Sequence, residues 1–144
     1  MPTLVDNFDL LWGSIEEKRC QHPFNLLAWV VLPDHMHILI DPLKNDLPNL
    51  MKRIKQSFSA KYRIQSRQKS GRIWQFRYWD HMIRNEKDLN RYFDYIHYNA
   101  VKHGLVDAPM DYSYSSFRDY AMQGYYDENW GIKTETDSNG QFGE

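Results

Sequence analysis

The sequence predicts an α+β domain. Three segments repeat apolar residues at helical spacing, and two short β-rich runs meet at a Pro-Asp turn. The length, 144 residues, suits one ordinary domain, here expected over residues 1–131 with a polar, disordered tail at 132–144. Hydrophobic residues at 42% and charged residues at 26% supply a packed core and argue against wholesale disorder.

Leu4, Phe8, Leu11 and Ile15 recur at helical spacing, so residues 3–20 read as the first helix, stopped by His22-Pro23. Phe24 to Leu32 is a mostly apolar β-type run, Pro33-Asp34 is a turn signal, and His35 to Ile40 resumes as a strand. Two strands joined so tightly should pair as a hairpin. A second helix is expected from a cap at Asn45 or Asp46 to about Gln68, with Leu50, Ile54, Phe58 and Tyr62 at strict i+4 spacing. Ser70-Gly71 breaks it. Ile73 to Ile83 carries four aromatics and reads as a strand. Asn85, with Asp88 three residues on, caps a third helix that ends near Gly104. The remainder holds Tyr112, Tyr114, Phe117, Tyr120, Tyr125, Tyr126 and Trp130, too aromatic to stay in water, and should pack back on the domain.

The net charge of −1 conceals a strong segregation. Residues 1–50 carry net −4, residues 51–103 net +9 and residues 104–144 net −6. Between Asp46 and Asp80 there are nine basic residues and no acid. A solvated helix face would intersperse acids for i,i+4 pairs, so the pattern points instead to a polyanion, with nucleic acid the first choice. The lone Cys20 makes neither an internal disulfide nor a thiolate metal site. The longest clean apolar stretch, Leu26 to Leu32, is too short to cross a bilayer, and no basic flank precedes an apolar core at the N-terminus. A cytoplasmic location is the default expectation.

His35-Met36-His37 is the sharpest chemical feature. In a strand, residues i and i+2 share a face, so two imidazoles side by side can chelate one cation. Asp34 can add an oxygen or orient a ring. The alternative is an incidental pair. On the third helix, Leu89, Phe93, Ile96 and Ala100 form the expected core face, while Tyr95, Asn99 and Lys102 share one flank. Either that flank holds a phenol, a carboxamide and an ammonium for chemistry, or Tyr95 packs at the core edge with Asn99 as a polar neighbour. His97, Tyr98 and His103 read as surface or boundary residues, and His22 and His81 are treated with the same caution.

Three ordered motifs carry a resemblance. Ala28-Trp-Val-Val-Leu-Pro-Asp-His-Met-His-Ile-Leu-Ile40, Ile73-Trp-Gln-Phe-Arg-Tyr-Trp-Asp-His-Met-Ile-Arg84 and Tyr95-Ile-His-Tyr-Asn-Ala-Val-Lys-His-Gly-Leu-Val106 resemble the REP-associated tyrosine transposases of the single-tyrosine HUH superfamily. The resemblance spans roughly residues 5–131. It implies a ferredoxin-like antiparallel sheet backed by helices, with His35 and His37 as metal ligands, Asn99 as a third ligand and Tyr95 as the nucleophile. The implied reaction is cleavage and rejoining of single-stranded DNA near hairpins through a covalent 5′-phosphotyrosine. The implied cofactor is Mg²⁺ or Mn²⁺, although imidazole ligands by softness favour Zn, Fe or Ni. The implied partner is single-stranded or hairpin DNA bearing repetitive palindromic elements, bound by a monomer or a homodimer.

On that reading, Lys52, Arg53, Lys55, Lys61, Arg63 and Arg67 hold the DNA backbone together with Arg77. Lys102 steadies a phosphate oxygen, and Trp74, Phe76, Tyr78 or Trp79 stacks an unpaired base. Two features depart from the family pattern. Ala100 stands where a proline usually follows the asparagine. The chain also reaches its first helix almost at once, so the strand that usually precedes it is expected to be missing, leaving a central edge unpaired or filled by another segment. Two other readings stay open: a non-catalytic nucleic-acid-binding protein, and a metal-dependent phosphodiesterase that uses water.

Overall fold

A computed structural model describes residues 3–66, 77–82 and 86–133, with backbone alone at 66, 77–82 and 86–88. The elements are α1 (Phe8–Gln21), β1 (Asn25–Val31), β2 (His35–Asp41), α2 (Leu47–Ser66), β3 (Arg77–Met82), α3 (Glu86–Lys102), a 3₁₀ turn at Pro109–Asp111 and α4 (Phe117–Met122). The α+β class holds. So does the hairpin, in which β1 and β2 pair antiparallel from Asn25↔Asp41 to Val31↔Met36. The cap expected at Asn85, the aromatics at 73–76 and all of the expected tail except residues 132 and 133 lie outside the described residues. Among the described residues no helix is long and apolar enough to cross a membrane.

The third strand refines the expected sheet. The strand order is β1-β2-β3, and β3 runs parallel to β2 from His35↔Arg77 to Ile40↔Met82. The crossover through α2 returns the chain to the end where β2 began, which is what a parallel partner requires. β2 therefore has both edges occupied, and the unpaired central edge expected from a missing strand does not arise.

Side-chain alternation divides the sheet into two faces. Val31, Met36, Ile38 and Ile40 pack with Leu11 and Ile15 of α1 and with Leu50, Met51, Ile54 and Phe58 of α2. Ala28, Val30, Leu32 and Leu39 pack on the other face with Tyr95, Ile96 and Ala100 of α3. A register shift between Leu26 and Ala28 moves Leu26 to the first face and Leu27 to the second. The result is three layers, with His35 and His37 on β2 positions that alternate with those facing α1 and α2.

Helix ends follow local chemistry. Asp46 accepts from the Asn49 backbone N–H at 3.2 Å, the side-chain cap expected for α2. α1 begins at Phe8 rather than residue 3, because Thr3 and Asp6 bond each other's backbone N–H in a turn ahead of it. Leu4 from that turn is fully buried, and its N–H donates to the Pro33 carbonyl at 2.8 Å. α3 ends in a Schellman cap. Leu105 N–H reaches Ala100 O at 3.0 Å, Gly104 N–H reaches Val101 O at 2.9 Å, and Gly104 takes φ 74°.

The aromatic C-terminal segment packs back as expected, and it corrects one reading. His97 is not a surface residue: it is 2% exposed and joins this segment to α3. Its Nδ1 lies 2.9 Å from Tyr126 Oη, its Nε2 lies 2.7 Å from Ser116 Oγ, and Tyr126 donates to Asp94 at 2.8 Å. Because the Tyr126 proton goes to Asp94, the network assigns the His97 proton to Nδ1 and leaves Nε2 to accept from Ser116. Burial keeps the ring neutral and pushes its pKa down from 6.5 to about 3.

The native state therefore binds fewer protons than the unfolded chain between those values. Stability is full above pH 6.5 and falls as the pH drops toward 3, by up to a few kcal/mol. Denaturation midpoints should fall between pH 7 and pH 4. A His97→Gln chain should be less stable at pH 7 but show a shallower decline. An equal decline in both chains would place the acid sensitivity elsewhere.

Candidate active site

The candidate site is built from two elements, β2 and the C-terminal half of α3. The turn at Pro33-Asp34 starts β2 so that His35 and His37 fall on the same face of the strand, and both are buried, 3% and 1% exposed. Their ring centroids are 5.1 Å apart. Asp34 Oδ1 lies 2.6 Å from His35 Nδ1 and accepts its proton, which fixes the ring and turns Nε2 away from the carboxylate. This is the orienting role expected of Asp34.

Tyr95 reaches the same place from α3. Its ring meets His37 edge-on, with centroids 5.4 Å apart, and the Lys102 ammonium stands 5.4 Å from the Tyr95 ring centroid. Lys102 thus sets a positive charge beside a phenol. Tyr95 is 5% exposed and its hydroxyl is buried. The ring packs in the cluster with Ala28, Val30, Leu32 and Leu39, so Tyr95 contributes to the core as well as to the flank it shares with Asn99 and Lys102.

Asn99 lies one turn further along α3 and is fully buried. Neither Oδ1 nor Nδ2 has a hydrogen-bond partner among the described residues. Burying a bare carboxamide is costly, so such a group ordinarily signals an absent partner. Two adjacent imidazoles, one oriented by a carboxylate, are donors that suit a divalent cation, and the buried Asn99 oxygen is a third donor of compatible chemistry one helical turn from Tyr95.

His103 was missed from sequence. It is exposed, in keeping with its reading as a surface or boundary residue, and one ligand atom from each of His35, His37 and His103 lies within 4.8 Å of the others. The signal was present, because residues 95, 99 and 103 continue one i+4 row.

The basic residues divide. Lys52, Lys55 and Arg63 line one shallow groove along α2. Lys61 turns instead to α1, where its Nζ lies 2.5 Å from Glu17 Oε2 and holds that carboxyl below its ordinary pKa. Arg53 lines the surface on that side with Lys61. α2 packs on the sheet face opposite Tyr95, so its basic groove and the phenol are not one surface. Arg77 stands in register opposite His35 on β3. Arg67 and Trp74 lie outside the described residues.

Comparison with known proteins adds to this geometry. Residues 9–99 match the family described as Transposase IS200 like. A protein of Haemophilus influenzae assigned to the REP-associated tyrosine transposases is 39% identical over 130 residues, covering 82% of this chain and 73% of the relative. The REP-associated tyrosine transposase of Escherichia coli K12 is 34% identical over 129 residues, covering 88% of this chain and 74% of that one. A solved structure of a REP-associated tyrosine transposase bound to a REP hairpin superposes with a TM-score of 0.71 at 30% identity, covering 98% of this chain and 84% of that chain.

Proposed function

This chain belongs to the IS200-like transposases, among the REP-associated tyrosine transposases, and on that premise we propose that it cleaves and rejoins single-stranded DNA beside hairpins, with Tyr95 as nucleophile. The observation that supports this reading is the convergence of Tyr95, His37 and Lys102 within 5.4 Å ring and cation contacts at the junction of β2 and α3. The relative solved with a REP hairpin makes a hairpin of that kind the substrate to test first.

In the proposed reaction the Tyr95 phenol gives its proton to solvent, and its oxygen attacks the scissile phosphorus. The bond from phosphorus to the 3′-oxygen breaks, and that oxygen leaves and takes up a proton. The 5′-phosphate stays on Tyr95. A phosphotyrosyl ester retains the phosphodiester's energy, so attack by another 3′-hydroxyl reseals a strand without ATP. Lys102 faces negative charge as it builds on the phenol oxygen and on the phosphate. His35, His37 and Asn99 would hold a divalent cation, Mg²⁺ or Mn²⁺ on the family reading. Such a cation polarises the scissile phosphate and offsets charge on its oxygens. Because the hydroxyl is buried, attack requires Tyr95 or its cover to shift when DNA binds.

The deciding experiment is a denaturing gel that traps a covalent protein–DNA adduct on single-stranded hairpin DNA with Mn²⁺. Adduct supports the assignment. Cleaved ends without adduct would make water the nucleophile, and salt-sensitive binding without cleavage would make the chain a binding protein.

α2, on the face away from Tyr95, is assigned to flanking DNA rather than to the scissile phosphate. Affinity for the hairpin should fall steeply with salt, with a log–log slope of roughly −0.7 for each phosphate contact on single strands. Lys52→Ala with Arg63→Ala should flatten the slope by one to two such contacts and leave the cleavage rate at saturating DNA unchanged. An unchanged slope would remove α2 from the interface.

A further inference from the structure

We propose that His103 is a third imidazole ligand of the cation site, and that the site consequently selects a borderline transition ion such as Co²⁺ or Zn²⁺ over Mg²⁺. The proposal rests on the reading of His35 and His37 as metal ligands and deepens it.

Three observations carry it. First, the three imidazoles meet: the His35 and His103 ring centroids are 5.2 Å apart with planes at 74°, and one ligand atom from each of the three residues falls within 4.8 Å of the others. Nitrogen ligands bind at about 2.1 Å, so three around one tetrahedral ion are about 3.4 Å from one another. The cluster closes on an ion by a contraction on the order of 1 Å, within the reach of side-chain rotation.

Second, the backbone holds His103 in place. It occupies the cap position of the Schellman motif, with its N–H on Asn99 O at 3.0 Å and Gly104 at φ 74° directly after it. That cap projects it one turn beyond Asn99, on the row that already holds Tyr95. Third, the site lies at the C-terminal end of α3, where the carbonyl ends of the helix favour positive charge.

The chemistry of the donors sets the selectivity. Mg²⁺ prefers oxygen ligands and keeps much of its water, so it gains little from a third nitrogen. Imidazole suits the first-row transition ions, and each added nitrogen widens the gap. His35 and His37 are buried whereas His103 is exposed, so His103 also stands on the side from which an ion and a phosphate would enter.

The test uses the full chain, stripped with chelator and titrated with Co²⁺ and separately with Mg²⁺, read by calorimetry and by the Co²⁺ visible spectrum. His103→Ala should weaken Co²⁺ roughly tenfold to a hundredfold, a span known from lesser changes around metal sites. It should alter the visible band and leave Mg²⁺ affinity within twofold. His103→Gln, which keeps a polar side chain at the cap, should behave like His103→Ala. Co²⁺ affinity within twofold of the parent in both variants would overturn the proposal, as would an equal loss for Mg²⁺. His35→Ala, run beside them, separates the failures. If it loses Co²⁺ while the His103 variants do not, His103 alone is wrong. If it also keeps Co²⁺, the imidazole site itself is wrong.

Discussion

Tyr95→Phe is expected to abolish the covalent protein–DNA adduct while leaving the fold and hairpin binding close to those of the parent chain. The substitution deletes one oxygen and keeps the ring. The ring has to be kept, because Tyr95 is 5% exposed and packs between β1, β2 and α3 with its edge against His37. Tyr95→Ala would open a core cavity costing about 3 kcal/mol or more, and a lost activity would then say little about chemistry. Tyr95→Phe should cost no more than about 1.5 kcal/mol, the scale of one buried hydrogen bond.

The rate of strand cleavage, by contrast, should fall on the order of 10⁴-fold or more, as expected when a covalent nucleophile is removed. The neighbouring tyrosines of α3 are engaged elsewhere. Tyr98 meets Trp130 of the C-terminal segment edge-on at 6.2 Å, and Tyr92 packs at the margin of the α3 core with Arg91 over its ring. Peptide mapping of the trapped adduct checks the assignment directly. A nucleotide found on Tyr92 or Tyr98, or adduct persisting in Tyr95→Phe, would falsify the mechanism.

Much of the fold was legible because its signals are local. The i+4 row Leu50, Ile54, Phe58 and Tyr62 faces the sheet as its spacing predicts, and Pro33-Asp34 turns the hairpin. The same-face relation of His35 and His37 follows from strand pleating alone, and that of Tyr95 and Asn99 from helix pitch. What sequence could not supply was the relation between elements. Whether β3 pairs with β2, and in which direction, depends on how α2 crosses the sheet. His97 looked like a boundary residue because its partners, Ser116 and Tyr126, are distant in sequence and carry no periodic signal.

The basic helix shows the same limit in another form. Charge segregation along the chain correctly marked α2 as cationic, but linear sequence does not say which face of the sheet a helix covers. α2 lies on the face opposite Tyr95, and one of its lysines is committed to Glu17. Among the described residues, the cation set against the phenol ring is Lys102, on α3 itself. Strong charge in the sequence thus located a cationic surface, while one lysine at helical spacing located the charge that stands beside the phenol.

His37→Gln is expected to remove metal-dependent cleavage while sparing hairpin affinity. His37 is the residue that touches both halves of the site: its ring lies 5.1 Å from His35 and 5.4 Å from Tyr95 by centroid. Alanine is a poor test at this position, since a side chain 1% exposed would leave a void on the α3 face of the sheet. Glutamine fills most of the space and keeps an oxygen, but it lacks the imidazole nitrogen. If the cation supplies several kcal/mol of charge stabilisation at the phosphate, its weakened hold should cost roughly 10²- to 10⁴-fold in cleavage rate. Co²⁺ affinity should fall in parallel, and raising the Mn²⁺ concentration should restore part of the rate. Hairpin affinity, which the proposed reading assigns to α2 and other cationic groups away from this strand, should stay within a few fold. The measurement is single-turnover cleavage across a Mn²⁺ titration, paired with binding in chelator. Cleavage that keeps the parent's rate and metal dependence in His37→Gln would show that the paired histidines of β2 serve the core and not the ion.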